Sequence, residues 1–154
     1  MDLVIAYHLI FTTYGFWLPN DPRGSWSDFV RSWELYWYGG ATKVTTRASL
    51  AHREHDRDLR RAQKTALRFD PVHFNAEQLS AVARGFARAV AESGYVVFAS
   101  SILPEHVHLV VQRHRNLAEQ IIGHLKARAT QEMIDAGIHP FLPHRKQDGA
   151  VPSM

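Results

Sequence analysis

The run Pro104-Glu105-His106-Val107-His108-Leu109-Val110-Val111 sets two imidazoles two residues apart inside an apolar, β-branched stretch. Such a stretch reads as a strand, on which residues i and i+2 share a face roughly 6.5–7 Å apart. His106, His108 and Val110 then occupy one face, and Val107, Leu109 and Val111 the other. Two neutral imidazoles so placed can converge on one metal ion or one phosphate. The same spacing also describes an ordinary strand with two polar residues on its solvent side. The second face is wholly apolar and suited to packing against helices.

The elements around this run set its position. Residues 3–13 read as a first strand. Residues 14–42 are irregular, broken by Gly15, Pro19, Asn20, Pro22, Gly24, Gly39 and Gly40. All four tryptophans, Trp17, Trp26, Trp33 and Trp37, fall there with Tyr36 and Tyr38. They are either a self-packing aromatic cover or a platform on which unpaired bases stack. Residues 48–68 predict a basic helix ending before Asp70-Pro71. Asn75 caps the next helix with Gln78 at its third position, and Gly94 stops it. Residues 95–103 form a second strand, residues 106–112 a third. Asn116 with Glu119 opens a last helix that ends at Gly137.

This order predicts an α+β fold, a ferredoxin-like antiparallel sheet with helices on one face and a long aromatic and basic insertion after the first strand, over about residues 14–72. Residues 1–142 make the domain. A complete split βαβ sheet needs one more strand after residue 140. Residues 140–154 carry three prolines and a glycine and predict an extended tail, assigned to 143–154.

With 154 residues the chain suits one domain with a sizeable core. It has no cysteine, which excludes disulfides, thiolate zinc sites and thiol catalysis. It has no apolar run long enough for a membrane span, and its start lacks the basic region of a signal peptide, so a cytoplasmic location is expected. The net charge is +3, but eight cations and three acids between Lys43 and Arg68 give that stretch +5. Arg53, Arg57, Arg60, Arg61 and Lys64, with Arg113 and Arg115 after the third strand, are candidates for phosphate contacts. The alternative is a solvated helix with pairs such as Asp56–Arg60. His52 and His55 fit two exposed residues among charges better than a ligand pair. His8, alternating with Tyr7 and Leu9, is either a neighbour of the His pair across the sheet or a core histidine.

The His-x-His run resembles the His-hydrophobic-His motif of the IS200/IS605-like single-strand DNA transposases, including their relatives associated with repetitive extragenic palindromes. A second segment, Tyr7-His8-Leu9-Ile10-Phe11-Thr12-Thr13-Tyr14-Gly15-Phe16-Trp17-Leu18-Pro19-Asn20-Asp21-Pro22-Arg23-Gly24, resembles the first strand and following loop of one branch of that family. The resemblance covers most of residues 1–142. It implies that His106 and His108 bind a divalent metal, Mg²⁺ or Mn²⁺, and leaves Glu105 as either an acceptor orienting an imidazole or a turn residue. It implies a homodimer acting on single-stranded DNA with hairpin structure, through a tyrosine that forms a 5′-phosphotyrosine and frees a 3′-OH. That tyrosine lies on a helix some fifty or sixty residues beyond the His pair in the family. Here Tyr7, Tyr14, Tyr36, Tyr38 and Tyr95 all precede the pair. The expectation is therefore a truncated transposase that keeps the metal pair and the DNA-binding surface without its nucleophile, its status as an enzyme left open. The rivals are a DNA or RNA hairpin-binding module without catalysis, and a metal-dependent phosphoesterase using water.

Overall fold

The computed structural model describes residues 3–46 and 48–142, so the tail expected over 143–154 lies outside the described residues. In chain order the elements are β1 (Ala6–Thr12), α1 (Trp33–Tyr36), α2 (Arg57–Thr65), α3 (Ala76–Ser93), β2 (Val97–Ile102), β3 (His106–Gln112) and α4 (Ala118–Asp135). The chain divides into two compact units. Tyr14–Pro71 is one, and the described residues up to Thr13 and from Val72 onward are the other.

The first unit is α+β. Its three strands form one antiparallel sheet in the order β1-β3-β2, with β3 in the centre. Alternation decides which face is packed. Leu9 and Phe11 of β1 and Val107, Leu109 and Val111 of β3 are buried together. Against them lie Ala81, Val82, Phe86 and Ala89 of α3 and Ile121, Leu125, Ala129 and Met133 of α4, spaced three or four apart so that each helix turns one stripe inward. The two helices approach closely at Gly85. A Cβ built there would stand 2.5 Å from the backbone of Ala129, so only a residue without a side chain fits.

The helix ends follow local chemistry. Asn75 Oδ1 accepts from the Gln78 N–H at 2.9 Å and Gln78 Oε1 accepts from the Asn75 N–H at 3.0 Å, a complete capping box. Gly94 ends α3 in the left-handed conformation, with φ of 69°. The expected cap of the last helix moves by one residue. Leu117 precedes α4, its N–H donating to Gln120 Oε1 at 2.8 Å, while the Asn116 side chain donates instead to the Tyr95 hydroxyl at 3.1 Å. Glu92 near the end of α3 ties the helices together, accepting from His124 Nε2 at 3.0 Å and Arg128 Nε at 2.7 Å. Those bonds, His124 first, hold its carboxyl down at about 2 from an ordinary 4.5.

Thr13, the last residue of the first unit before the chain leaves it, bonds to Val72, the first residue after its return. Its hydroxyl donates to the Val72 carbonyl at 2.6 Å, so the chain leaves the sheet and returns to it at one point. Within the second unit the basic helix is shorter than expected. It begins at Arg57 because Asp56 is its cap, accepting from the Leu59 N–H at 2.8 Å, and residues 48–56 are irregular. Arg61 pairs with Asp58 at 3.0 Å, while Asp56, which spacing pairs with Arg60, uses its side chain for the helix cap. The unit centres on Asp21, fully buried and bound by both nitrogens of one Arg23 fork, each at 2.8 Å. The Arg23 guanidinium lies 3.8 Å over the Trp17 ring, and Trp17 Nε1 donates to the Gly24 carbonyl at 2.9 Å. Burial pushes the Asp21 carboxyl up, but the Arg23 hydrogen bonds outweigh it and hold the group below its ordinary range. Of the four tryptophans only Trp17 fits a self-packing cover. Trp26, Trp33 and Trp37 are exposed.

Two outcomes follow. Gly85→Ala forces α3 and α4 apart and costs about 1–3 kcal/mol or more in urea unfolding; a variant as stable as the parent sinks the close-approach account. Glu92 has a depressed folded-state pKa, so its contribution is whole above about pH 4.5 and is lost as pH falls towards 2. Thermal melts across that window should fall less steeply for Glu92→Gln than for the parent chain.

Candidate functional site

The central position of β3 fixes its register from both sides. His106 stands opposite Thr12, and His108 stands opposite both Ile10 on β1 and Ser101 on β2. Because Val107, Leu109 and Val111 face the helices, both imidazoles must face away from them. Their ring centroids are 4.9 Å apart. A third imidazole joins them. His8, opposite Val110, is the diagonal neighbour of His108. Its ring stacks on His108 with centroids 5.5 Å apart, and His8 Nε2 lies 3.3 Å from His108 Nδ1. His8 is exposed, so the core-histidine alternative does not hold.

The neighbours select which ring nitrogens remain free. His108 Nδ1 is taken by His8, and His106 Nδ1 lies 3.5 Å from Glu105 Oε1. The Nε2 atoms are the ring nitrogens that stay available as lone-pair donors. Partial burial, then the nearby His106 and His8, keep the His108 pKa below its ordinary value, which favours the neutral form that binds metal. Among the described residues no group of three or more His, Cys, Asp or Glu is arranged to hold a metal ion. The donor set present is thus two imidazoles, with a carboxylate and a third imidazole behind them. It fits a cation whose remaining positions are filled by water and phosphate oxygens, and does not make a closed protein cage.

Neither tyrosine of this unit shares that face. Tyr7 pairs with Val111 on the helix side of the sheet, and Tyr95, which precedes β2, is buried. The tyrosines Tyr14, Tyr36 and Tyr38 belong to the second unit.

The basic candidates divide between the units. Arg113 and Arg115 follow β3 in the first and are exposed. In the second, Arg57, Arg60, Arg61 and Lys64 line one groove of about 560 Å³ with His55. Burial first, then the charges of Arg60 and Arg23, lower the Lys64 pKa. Arg53 is not on the helix. Its guanidinium donates to the Arg23 carbonyl at 3.3 Å and braces the loop. His52 lies off the helix too, so the three-residue spacing to His55 places no ligand pair on it.

Comparison of the chain with protein-family models, with curated proteins and with solved structures gave no match. The residues themselves therefore carry the functional reading.

His8 is the site residue whose role needed the fold. Its alternation was visible, but its partner lies a hundred residues away. In ¹⁵N spectra of the metal-free chain, His108 should sit largely in one tautomer, and His8→Phe should mix the two. A tautomer ratio indifferent to this change removes His8 from the site.

Proposed function

We propose that this chain is a single-stranded-DNA-binding protein of the IS200/IS605-like transposase kind, handling DNA with hairpin structure. The observation that supports this reading most strongly is the pair His106 and His108, side by side on the uncovered face of the central strand, 4.9 Å between ring centroids. A divalent cation bound there, Mg²⁺ or Mn²⁺, would supply charge neutralisation at a scissile phosphate. Each histidine offers Nε2, while His8 meets His108 Nδ1 and the Glu105 carboxylate lies near His106 Nδ1. In the second unit Arg57, Arg60, Arg61 and Lys64 offer one groove to phosphates, and in the first unit Arg113 and Arg115 are exposed cations that can meet phosphates after β3.

Strand cleavage through a phosphotyrosine needs a tyrosine on the His face. Tyr7 and Tyr95 are turned away or buried. Within the sheet unit no tyrosine is therefore offered to a strand held by the His pair, and our reading is metal-strengthened DNA binding without a covalent product. No described helix is long and apolar enough to cross a membrane. We place the protein in the cytoplasm with its DNA, as a homodimer joined through the β2 edge of the sheet, unpaired among the described residues, where Val96 just before β2 and Phe98 within it are exposed. A hairpin-binding module that needs no metal is the second reading. It draws on the shortage of ligands beyond two imidazoles among the described residues.

The test uses purified chain and labelled hairpin DNA with a single-stranded flank, resolved on native and denaturing gels with Mn²⁺ or with EDTA. The expected result is a native shift weakened about tenfold or more by EDTA and by His106→Ala, with no band surviving denaturation. A shift indifferent to both changes selects the metal-free module. A denaturation-resistant band shows a nucleophile at work and overturns the non-covalent reading. No shift at all overturns DNA binding.

A further inference from the structure

Between residues 26 and 37 the second unit carries five large rings that the fold leaves uncovered: Trp26 is 60% exposed, Phe29 55%, Trp33 72%, Tyr36 70% and Trp37 80%. Exposed apolar rings singly need no explanation, but a run of them on a small unit does. They are not the product of a loose segment. The single turn α1 is anchored by Leu35, which is 2% exposed and whose carbonyl accepts from Asn20 Nδ2 at 2.8 Å. The backbone carbonyl of the same Asn20 accepts from Gln63 Nε2 of α2, also at 2.8 Å and also buried. One buried residue thus braces both the turn that presents Trp33 and Tyr36, with Trp37 at its end, and the helix that presents Arg60, Arg61 and Lys64.

We propose that these rings are a stacking platform for the unpaired bases of a single-stranded nucleic acid whose phosphates occupy the α2 groove. Every base offers a π-face, and a cationic groove beside aromatic rings tracks a strand without reading its sequence. The charge of the unit selects this occupant. Arg57, Arg60, Arg61 and Lys64 line one groove with no acidic residue among its lining, so an anion suits it. An anionic membrane suits the rings less well, since inserting Trp33 would carry the adjacent Glu34 carboxylate out of water. Paired bases have their faces buried in the duplex stack, so the platform discriminates single from double strands, and it works without metal. It rests on the reading of the chain as a DNA binder, but it is independent of the His pair.

The test uses the full chain in EDTA, with fluorescein-labelled oligo-dT and a duplex of equal length as probes, read by anisotropy and by tryptophan fluorescence. The expected results are quenching by oligo-dT, preference for oligo-dT over duplex, and a loss of about 30-fold or more in oligo-dT affinity for Trp33→Ala with Trp37→Ala. The Trp33→Phe with Trp37→Phe chain should keep most of the affinity. Both rings are already exposed, so an unchanged thermal melt in the alanine variant confirms that folding is intact. Unchanged oligo-dT affinity in a folded alanine variant overturns the platform, even where the hairpin shift above persists. Equal affinity for duplex, or quenching by phosphatidylglycerol vesicles and not by oligo-dT, overturns it as well.

Discussion

The approach of α3 to α4 at Gly85 is the constraint on which the rest of the first unit depends. A three-stranded sheet is narrow, and two helices can both lie on it only if they nearly touch. A missing side chain at Gly85 lets the backbone of Ala129 come within the space a Cβ would fill. Both helices then press their inward stripes onto β1 and β3, and the apolar residues of those strands have one direction to face. The polar residues of the same strands, His8, His106 and His108, are turned to the opposite side by alternation. The chemistry of the uncovered face is thus a consequence of packing on the covered one.

Much of this was legible locally. The bounds and the two faces of β3 follow from strict alternation over seven residues, and α3 announces itself by Asn75, Gln78 and Gly94. What needed the fold were relations between distant segments. The partnership of His8 with His108 depends on the β1–β3 register, which no spacing in the chain encodes. The start of α2 was misread because charge density extends upstream of the residue that caps it. Asp56 binds the Leu59 N–H and sets the boundary, while residues 48–56 share its composition without its geometry. At α4 an asparagine of the right type was adjacent to the boundary but was drawn away by the Tyr95 hydroxyl. For the tryptophans, composition could not separate a ring under a guanidinium, as Trp17 is, from rings left in water, as Trp33 and Trp37 are.

The second unit is held by polar rather than apolar interactions at its centre. The Asp21–Arg23 fork is buried, which is costly unless every hydrogen bond is made, and here the carboxylate is bound by both guanidinium nitrogens and by the Arg23 N–H at 2.9 Å. Such an arrangement has strict geometry and tolerates few alternatives. A loop rich in Gly and Pro thereby reaches one defined shape without a large core, and it can present rings and cations outward because few of them are needed within.

Thr13 gives the architecture a modular character. Where its hydroxyl meets the Val72 carbonyl, the long excursion of the chain is pinched shut at its stem. From the side of the sheet, that excursion is equivalent to a short turn between β1 and the approach to α3, whatever its length. Loop-closure cost grows only slowly with added residues once the ends are held together. With its ends held at Thr13 and Val72, that excursion can lengthen or shorten at little cost in closure to the sheet that carries the imidazoles.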